Sequence, residues 1–105
     1  LSSTITLAQD KKGTELVKIQ TSAECDECKV RLEEVLNYTK GVKYSNLDVE
    51  SKVLEVKFLT KKISLEKIKK IVSELGYDAD DVKANPTAYD ALPQCCKVGG
   101  MEHHD

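Results

Sequence analysis

Tryptophan is absent from this sequence of 105 residues, and aromatic side chains make up only 5% of it. A core built at this length must therefore consist mostly of valine, leucine and isoleucine. Hydrophobic residues form 40% of the chain, which is enough for one domain with a modest core and argues against wholesale disorder. No apolar run reaches the roughly 18 residues that a membrane-spanning helix needs, so we expect no membrane span.

Positive and negative charges nearly balance, because the formal net charge is only -2. Without a strongly basic face there is no electrostatic basis for nucleic-acid binding. Cysteine is also scarce, and the four that are present are too few for a disulfide scaffold. Two of them have the Cys-x-x-Cys spacing, at Cys25 and Cys28, and two are adjacent, at Cys95 and Cys96. The candidate chemistry of the chain therefore lies in its thiols.

Strand and helix periods alternate along the middle of the chain. Alternating apolar residues predict strands at 15–21, 42–49, 53–59 and 77–83, and apolar residues three and four apart predict helices at 23–37 and 65–75. Ser64 is the expected N-cap of the second helix, and a break in alternation around Asn46 predicts a bulge. This order predicts an α+β, ferredoxin-like βαββαβ sandwich, with two helices on one face of a four-stranded antiparallel sheet.

The two ends fall outside this pattern. Residues 1–14 are expected to form a flexible leader, and residues 85–105 a C-terminal extension that begins with a short helix at Pro86–Leu92. Thr6 and Ala8 are small residues at the spacing that a signal peptidase requires, which predicts an exported, periplasmic protein. A leader unrelated to export is the alternative, and the protein would then be cytoplasmic.

Cys25 and Cys28 lie where the first strand passes into the first helix. At this spacing two sulfurs can converge and each reach a metal at about 2.3 Å, and the helix dipole favours thiolates there. Soft thiolates select Cu(I), Zn, Cd or Hg over Mg or Ca. The adjacent Glu24, Asp26 and Glu27 oppose thiol ionisation. Exposed charge pairs, however, are worth about 1 kcal/mol or less, against roughly 10–16 kcal/mol for thiolate–zinc coordination, so metal binding is the leading interpretation.

Two other interpretations remain open. A thiol–disulfide redox protein would use Cys25 and Cys28 together with the pair at Cys95 and Cys96. The acidic residues inside the motif argue against the low-pKa thiol that this chemistry needs, and both prolines lie near the C-terminus. The last interpretation is an interaction module that has kept the fold and lost the metal, with cysteines that only pack.

Most of the chain, from about Glu15 to Lys83, resembles the heavy-metal-associated domain of copper chaperones, mercury-scavenging periplasmic proteins and metal-ATPase N-termini. The resemblance is carried by CDEC at 25–28, GVKYSNLDVESKVLEVKF at 41–58 and ISLEKIKKIVSELGYDA at 63–79. Together these segments are far more specific than a Cys-x-x-Cys alone.

This resemblance implies a domain at 15–84 in which Cys25 and Cys28 bind one soft metal ion, Cu(I) or Zn(II), in an exposed loop. It further implies transfer by thiolate ligand exchange to a metal-transporting ATPase or another thiol-bearing acceptor. The expected protein is a non-enzymatic carrier or scavenger, either a monomer or a metal-bridged dimer.

Three further positions acquire roles from the resemblance. Tyr77 matches a family position beside the metal loop, where it would be a neighbour of the ligands; ordinary core packing at a strand start is the alternative. Ala23 stands where the family usually has a buried Met beneath the loop, so we expect a less braced loop. Glu24 stands where copper carriers often have Thr or His, and it resembles zinc- and cadmium-type members in which a carboxylate can add a ligand.

The C-terminal extension carries a dense set of soft and borderline ligands: Cys95, Cys96, Met101, His103 and His104. We expect its short helix to pack along the domain and bring the tail cysteines toward the loop cysteines, as further ligands or as disulfide partners. Because the predicted last strand ends at the opposite pole, that return would need a span of roughly 20–25 Å. The alternatives are a tail that only adds a metal tether, and histidines that are merely solvated.

Overall fold

The computed structural model describes residues 13–93. Its strands are β1 (Thr14–Gln20), β2 (Val42–Asp48) and β3 (Val53–Leu59), and its helices are α1 (Asp26–Asn37), α2 (Leu65–Glu74) and α3 (Pro86–Asp90). The strands form an antiparallel sheet in the order β1-β3-β2. The predictions made for the leader before residue 13 and for Cys95, Cys96, Met101, His103 and His104 lie outside the described residues.

β3 is the central strand, and its alternation of buried and half-exposed residues shows which face of the sheet is buried. Leu54, Val56 and Phe58 are buried and the residues between them are half-exposed. On β1, Ile19 pairs with Leu54 and is fully buried, as its sequence position predicts. On β2, Leu47 pairs with the same leucine. One face of the sheet therefore forms the floor of the core.

The helices α1 and α2 cover this floor with their apolar stripes. α1 buries Cys28, Leu32 and Leu36, which lie four residues apart on one face. α2 begins at the predicted cap, because the Ser64 hydroxyl accepts a hydrogen bond from the Lys67 N–H at 3.1 Å. α1 begins at Asp26, later than the predicted start at residue 23, since its N-cap, Cys25, has extended φ and ψ.

The prediction of a fourth strand at 77–83 is wrong for the described part of the chain, where only isolated bridges join Thr21 to Ala79 and Ala79 to Val82. Ala79 and Val82 exchange backbone hydrogen bonds around a tight turn. Asp80 has a left-handed φ of 55°, and its carboxylate accepts a hydrogen bond from the Gln20 N–H at 2.8 Å. The Asp80 N–H donates to the Gln20 carbonyl at 2.8 Å, so the side chain replaces one of the two backbone bonds that a pair of strands would exchange here. Aspartate suits such a turn better than a strand.

The predicted bulge lies elsewhere on β2, because the register with β3 shifts between Val42 and Tyr44 rather than around Asn46. The short C-terminal helix is confirmed, although it ends at Asp90. Its cap is Asn85, whose side-chain oxygen accepts from the next two helical N–H groups at 2.9 and 3.1 Å. No helix among residues 13–93 has the length and apolar character needed to cross a bilayer.

Candidate metal centre

The two loop cysteines converge at the N-terminus of α1. Cys25 is the N-cap, with extended φ and ψ of -148° and 174°, and Cys28 lies in the first turn. Their Sγ atoms are 3.4 Å apart, within reach of a weak thiol–thiol hydrogen bond. Cys28 is fully buried and Cys25 is partly exposed, so the pair has one inner and one accessible sulfur.

This separation fits two bonds to one shared ion. Two sulfurs at about 2.3 Å from a tetrahedral ion lie roughly 3.8 Å apart, and two sulfurs on opposite sides of a linear ion lie about 4.6 Å apart. The observed 3.4 Å is closer to the first arrangement. Among residues 13–93 no group of three or more His, Cys, Asp or Glu side chains is arranged to hold a metal. In the arrangement described, the two cysteines are therefore the ligands that stand ready, and a third would require a side chain to move or to come from outside residues 13–93.

The approach to the cysteines is fixed by hydrogen bonds from Thr21. Its hydroxyl donates to the Lys52 carbonyl at 2.8 Å and accepts from the Ala23 N–H at 3.1 Å, and its own N–H donates to the same carbonyl at 2.9 Å. Ala23 is fully buried. Polar bonds to the β2–β3 turn therefore hold the approach to the loop, whose bracing was expected to be weaker because Ala23 replaces the family's usual Met.

Glu24, the candidate third ligand, is paired with a cation. Its carboxylate lies 3.3 Å from the Lys52 ammonium, and only 17% of the Glu24 side chain is exposed. The sequence places Lys52 between the predicted strands at 42–49 and 53–59 but does not identify it as a neighbour of the cysteine loop. No local signal could have found it, because the contact depends on how the β2–β3 turn packs against the end of β1.

Tyr77 is fully buried in the core cluster that also contains Ala23 and Cys28. The next residue, Asp78, donates its backbone N–H to the Ser22 hydroxyl at 2.9 Å. These contacts place the segment that follows α2 alongside the segment that leads into the cysteine loop.

A second set of contacts holds α1, and with it Cys28, against the sheet. The Lys29 ammonium donates to the Glu33 carboxylate at 2.6 Å, and to the Asn46 side-chain oxygen and the Leu47 carbonyl, each at 3.0 Å. The same Glu33 oxygen accepts from the Leu47 N–H at 2.8 Å. Sequence reasoning missed this network too, although the i,i+4 spacing of Lys29 and Glu33 was a visible signal of part of it.

The charges around the site are mainly negative on the solvent side. Asp26 and Glu27 are exposed in the first turn of α1, where carboxylates interact favourably with the helix dipole. They also attract cations to the same end of the helix.

The sequence between residues 22 and 78, more than half of the chain, matches the family model described as the heavy-metal-associated domain. A comparison with curated proteins gave no significant match. Among solved structures, the chain is similar to the CopZ metallochaperone, with 23% identity and a TM-score of 0.60 over 62% of this chain and 98% of that one.

Two other similar structures extend this comparison. Oxidized MerP from Ralstonia metallidurans CH34 has 22% identity and a TM-score of 0.60, over 64% of this chain and 94% of that one. The N-terminal domain of a potential copper-translocating P-type ATPase from Bacillus subtilis, solved in the Cu(I)-loaded state, has 24% identity and a TM-score of 0.60. That alignment covers 69% of this chain and 99% of the ATPase domain. These likenesses show a shared ferredoxin-like fold, and the family match, which spans both loop cysteines, shows that the chain belongs to the heavy-metal-associated domain family.

Proposed function

We propose that this protein is a non-enzymatic carrier or scavenger of a soft metal ion, which Cys25 and Cys28 bind as thiolates. The observation that carries the proposal is the 3.4 Å separation of the two Sγ atoms at a helix N-terminus. Two thiolates so placed suit Cu(I) or Zn(II), whereas Mg and Ca prefer oxygen ligands. The family to which the chain belongs supports the same function.

Release would proceed by exchange of thiolate ligands, without any change in oxidation state. An incoming thiolate from the acceptor bonds to the ion first, and the accessible Cys25 sulfur then leaves and takes up a proton. The buried Cys28 sulfur leaves last, as a second acceptor thiolate replaces it. The acceptor is a protein with paired thiols, and a metal-transporting ATPase is the proposed partner because one structural relative is the N-terminal domain of such a protein.

Metal titration of the reduced protein, followed by native mass spectrometry, tests this function. We expect one Cu(I) or one Zn(II) to bind tightly to the wild-type chain. A Cys25→Ser/Cys28→Ser variant should lose this ion while keeping its circular dichroism spectrum. The proposal would be overturned if the reduced wild-type protein bound neither ion, or if the variant bound as tightly as the wild type.

The thiol–disulfide alternative has its own support in the sulfur geometry. A disulfide needs the sulfurs at about 2.05 Å, so the pair would have to close by only about 1.3 Å. Reduction of insulin disulfides by the metal-free dithiol protein would favour this second function. Tight metal binding with no insulin reduction would exclude it.

We further propose that Cys95 or Cys96 adds a ligand to the same ion, and the path of the described chain supports this. Leu92 is buried, and both it and Ala88 of α3 pack against Gly76, where an added Cβ would lie about 3.0 Å from them. Gly76 directly precedes the segment that lies beside the cysteine loop. The chain therefore reaches residue 93 at the cysteine end of the domain.

Because of this path, the C-terminal extension would not need the span of roughly 20–25 Å, from the opposite pole back to the loop cysteines, that the sequence suggested. With a turn at Asp80 in place of a fourth strand, the chain does not run to the opposite pole. Cys95 follows Leu92 by three residues in sequence, and three residues can span at most about 10 Å. Sulfur ligands counted by X-ray absorption on the Zn(II) form test the proposal. We expect three or four in the wild type and two in a Cys95→Ser/Cys96→Ser variant; two in both would refute it.

The proposed location is the periplasm, on the basis of the small residues at Thr6 and Ala8. Fractionation of cells that express the complete gene tests this proposal, and recovery of the protein only in the cytoplasm would refute it.

A further inference from the structure

We infer that Lys52 is a positioning residue that sets metal selectivity. It holds the Glu24 carboxylate away from the thiolates, and so favours an ion that thiolates satisfy alone over an ion that recruits an oxygen ligand. The inference rests on the proposed function, in which Cys25 and Cys28 are the ligands.

Lys52 is fixed in place by its backbone. It occupies the left-handed region, with φ at 64°, in the β2–β3 turn, and its N–H donates to the Asp48 carbonyl at 2.7 Å. Its carbonyl accepts from both the N–H and the hydroxyl of Thr21, four residues before Cys25. The turn and the approach to the cysteines therefore form one hydrogen-bonded unit, and the lysine side chain extends from that unit.

The ammonium of Lys52 forms an ion pair with the largely buried carboxylate of Glu24. The Nζ–Oε2 distance to Glu24 is 3.3 Å, and the two side chains are 41% and 17% exposed. An ion pair screened from water in this way is stronger than a pair on the open surface. Glu24 and Asp26 both adjoin Cys25 in sequence, but Asp26 is exposed in the first turn of α1, whereas Glu24 is largely buried against Lys52. An ion bound at Cys25 would therefore have to compete with Lys52 for the Glu24 carboxylate.

The consequence differs between the two candidate ions. Zn(II) takes four ligands and accepts glutamate oxygens at about 2.0–2.2 Å, so a released carboxylate can fill a position that Cys25 and Cys28 leave open. Cu(I) is selected by soft sulfur ligands and gains little from an oxygen. Restraint of Glu24 by Lys52 therefore weakens Zn(II) binding and leaves Cu(I) binding nearly unchanged.

The experiment is a double-mutant cycle on the reduced full chain, with Zn(II) and Cu(I) affinities measured by competition with chelating indicators. Lys52→Met keeps the aliphatic stem and removes the charge. We expect it to raise Zn(II) affinity about tenfold, the lower end of effects seen when groups outside the ligand set are changed, and to alter Cu(I) affinity by less than about threefold. X-ray absorption should show an oxygen ligand to Zn(II) in this variant that comes from Glu24.

Matched variants separate this role from a general effect of charge. Glu24→Gln should change Zn(II) affinity little when Lys52 is present, but should cancel the tenfold gain in the Lys52→Met background. Lys52→Arg should behave as wild type. Lys70→Met removes the same charge from an exposed pair with Glu74, 3.9 Å long, and should also behave as wild type.

Three outcomes would overturn the inference. One is an equal gain for both ions in Lys52→Met. Another is a tenfold loss of Zn(II) affinity in Glu24→Gln alone, which would mean that the carboxylate is already a ligand. The third is no change in either affinity in Lys52→Met. Failure of the wild-type protein to bind either ion would instead overturn the proposed function itself.

Discussion

Two Lys–Glu ion pairs at i,i+4 within residues 13–93 have different surroundings, and this difference makes a quantitative prediction possible. On α2, Lys70 and Glu74 are 3.9 Å apart, and both are more than half exposed. On α1, Lys29 and Glu33 are 2.6 Å apart and 34% and 21% exposed. Only the α1 pair continues onto β2, where it contacts Leu47. We therefore expect the same substitution to have different effects on the two helices.

Lys29→Met removes a charged donor from three acceptors. Hydrogen bonds to charged groups are worth about 1.5–3 kcal/mol, and partial exposure moves the expected loss to the low end, about 1.5 kcal/mol. For a domain of this size, about 4–8 °C in Tm accompanies each kcal/mol, so Tm should fall by about 6–12 °C. Lys70→Met removes an exposed helix pair worth about 0.3–0.5 kcal/mol, a shift of about 1–4 °C.

Urea denaturation and calorimetry of the reduced, metal-free protein measure both variants. Glu33→Gln and the double variant complete a cycle, in which we expect a coupling of about 1 kcal/mol or more between Lys29 and Glu33. Equal losses for Lys29→Met and Lys70→Met would refute the reasoning. In that case the bond from the Leu47 N–H to Glu33 would be enough to hold α1 on the sheet.

Three further predictions concern single positions. Gly76→Ala should destabilise the domain by about 2 kcal/mol or more in urea, because φ is 106° and the new Cβ would lie 3.0 Å from the Ala88 carbonyl oxygen; a loss below about 0.5 kcal/mol would contradict it. Thr21→Val should cost about 1–3 kcal/mol by removing a buried hydroxyl that bonds to Lys52, whereas Thr21→Ser should cost less. Desolvation lowers the pKa of Lys69, but its two aspartate partners outweigh that effect and raise the pKa above the usual 10.5. The resulting stabilisation should be present below about pH 10.5 and lost as the pH rises through the folded-state pKa, and Lys69→Met should remove this pH dependence from urea midpoints.

Elements that depend only on residues close together in the sequence were predictable from it. β3 matches its predicted bounds, Val53–Leu59, because the alternation there is regular and sits between turn residues. The cap at Ser64 is confirmed, since capping depends on a residue only three positions away. The convergence of Cys25 and Cys28 was predictable for the same reason.

Features that depend on long-range packing were not predictable. The segment 77–83 contains apolar residues with strand-like spacing, but the turn at Asp80 is stabilised by a side-chain bond to Gln20, sixty residues earlier. The Lys52–Glu24 pair joins residues that are 28 positions apart. In each case the partner is brought close only once the sheet has assembled, and local pattern carries no information about it.

The turn at Asp80 also determines which attached groups lie close to the two cysteines in a longer polypeptide. Because the described chain ends beside Gly76, anything joined after Pro93 is tethered on the cysteine side of the domain. A short tether raises the effective concentration of an attached group into the millimolar range. A thiol-reactive dye or an acceptor domain fused there would therefore meet the two sulfurs as an intramolecular neighbour, and the same group fused before Gly13 would start from the opposite end of β1.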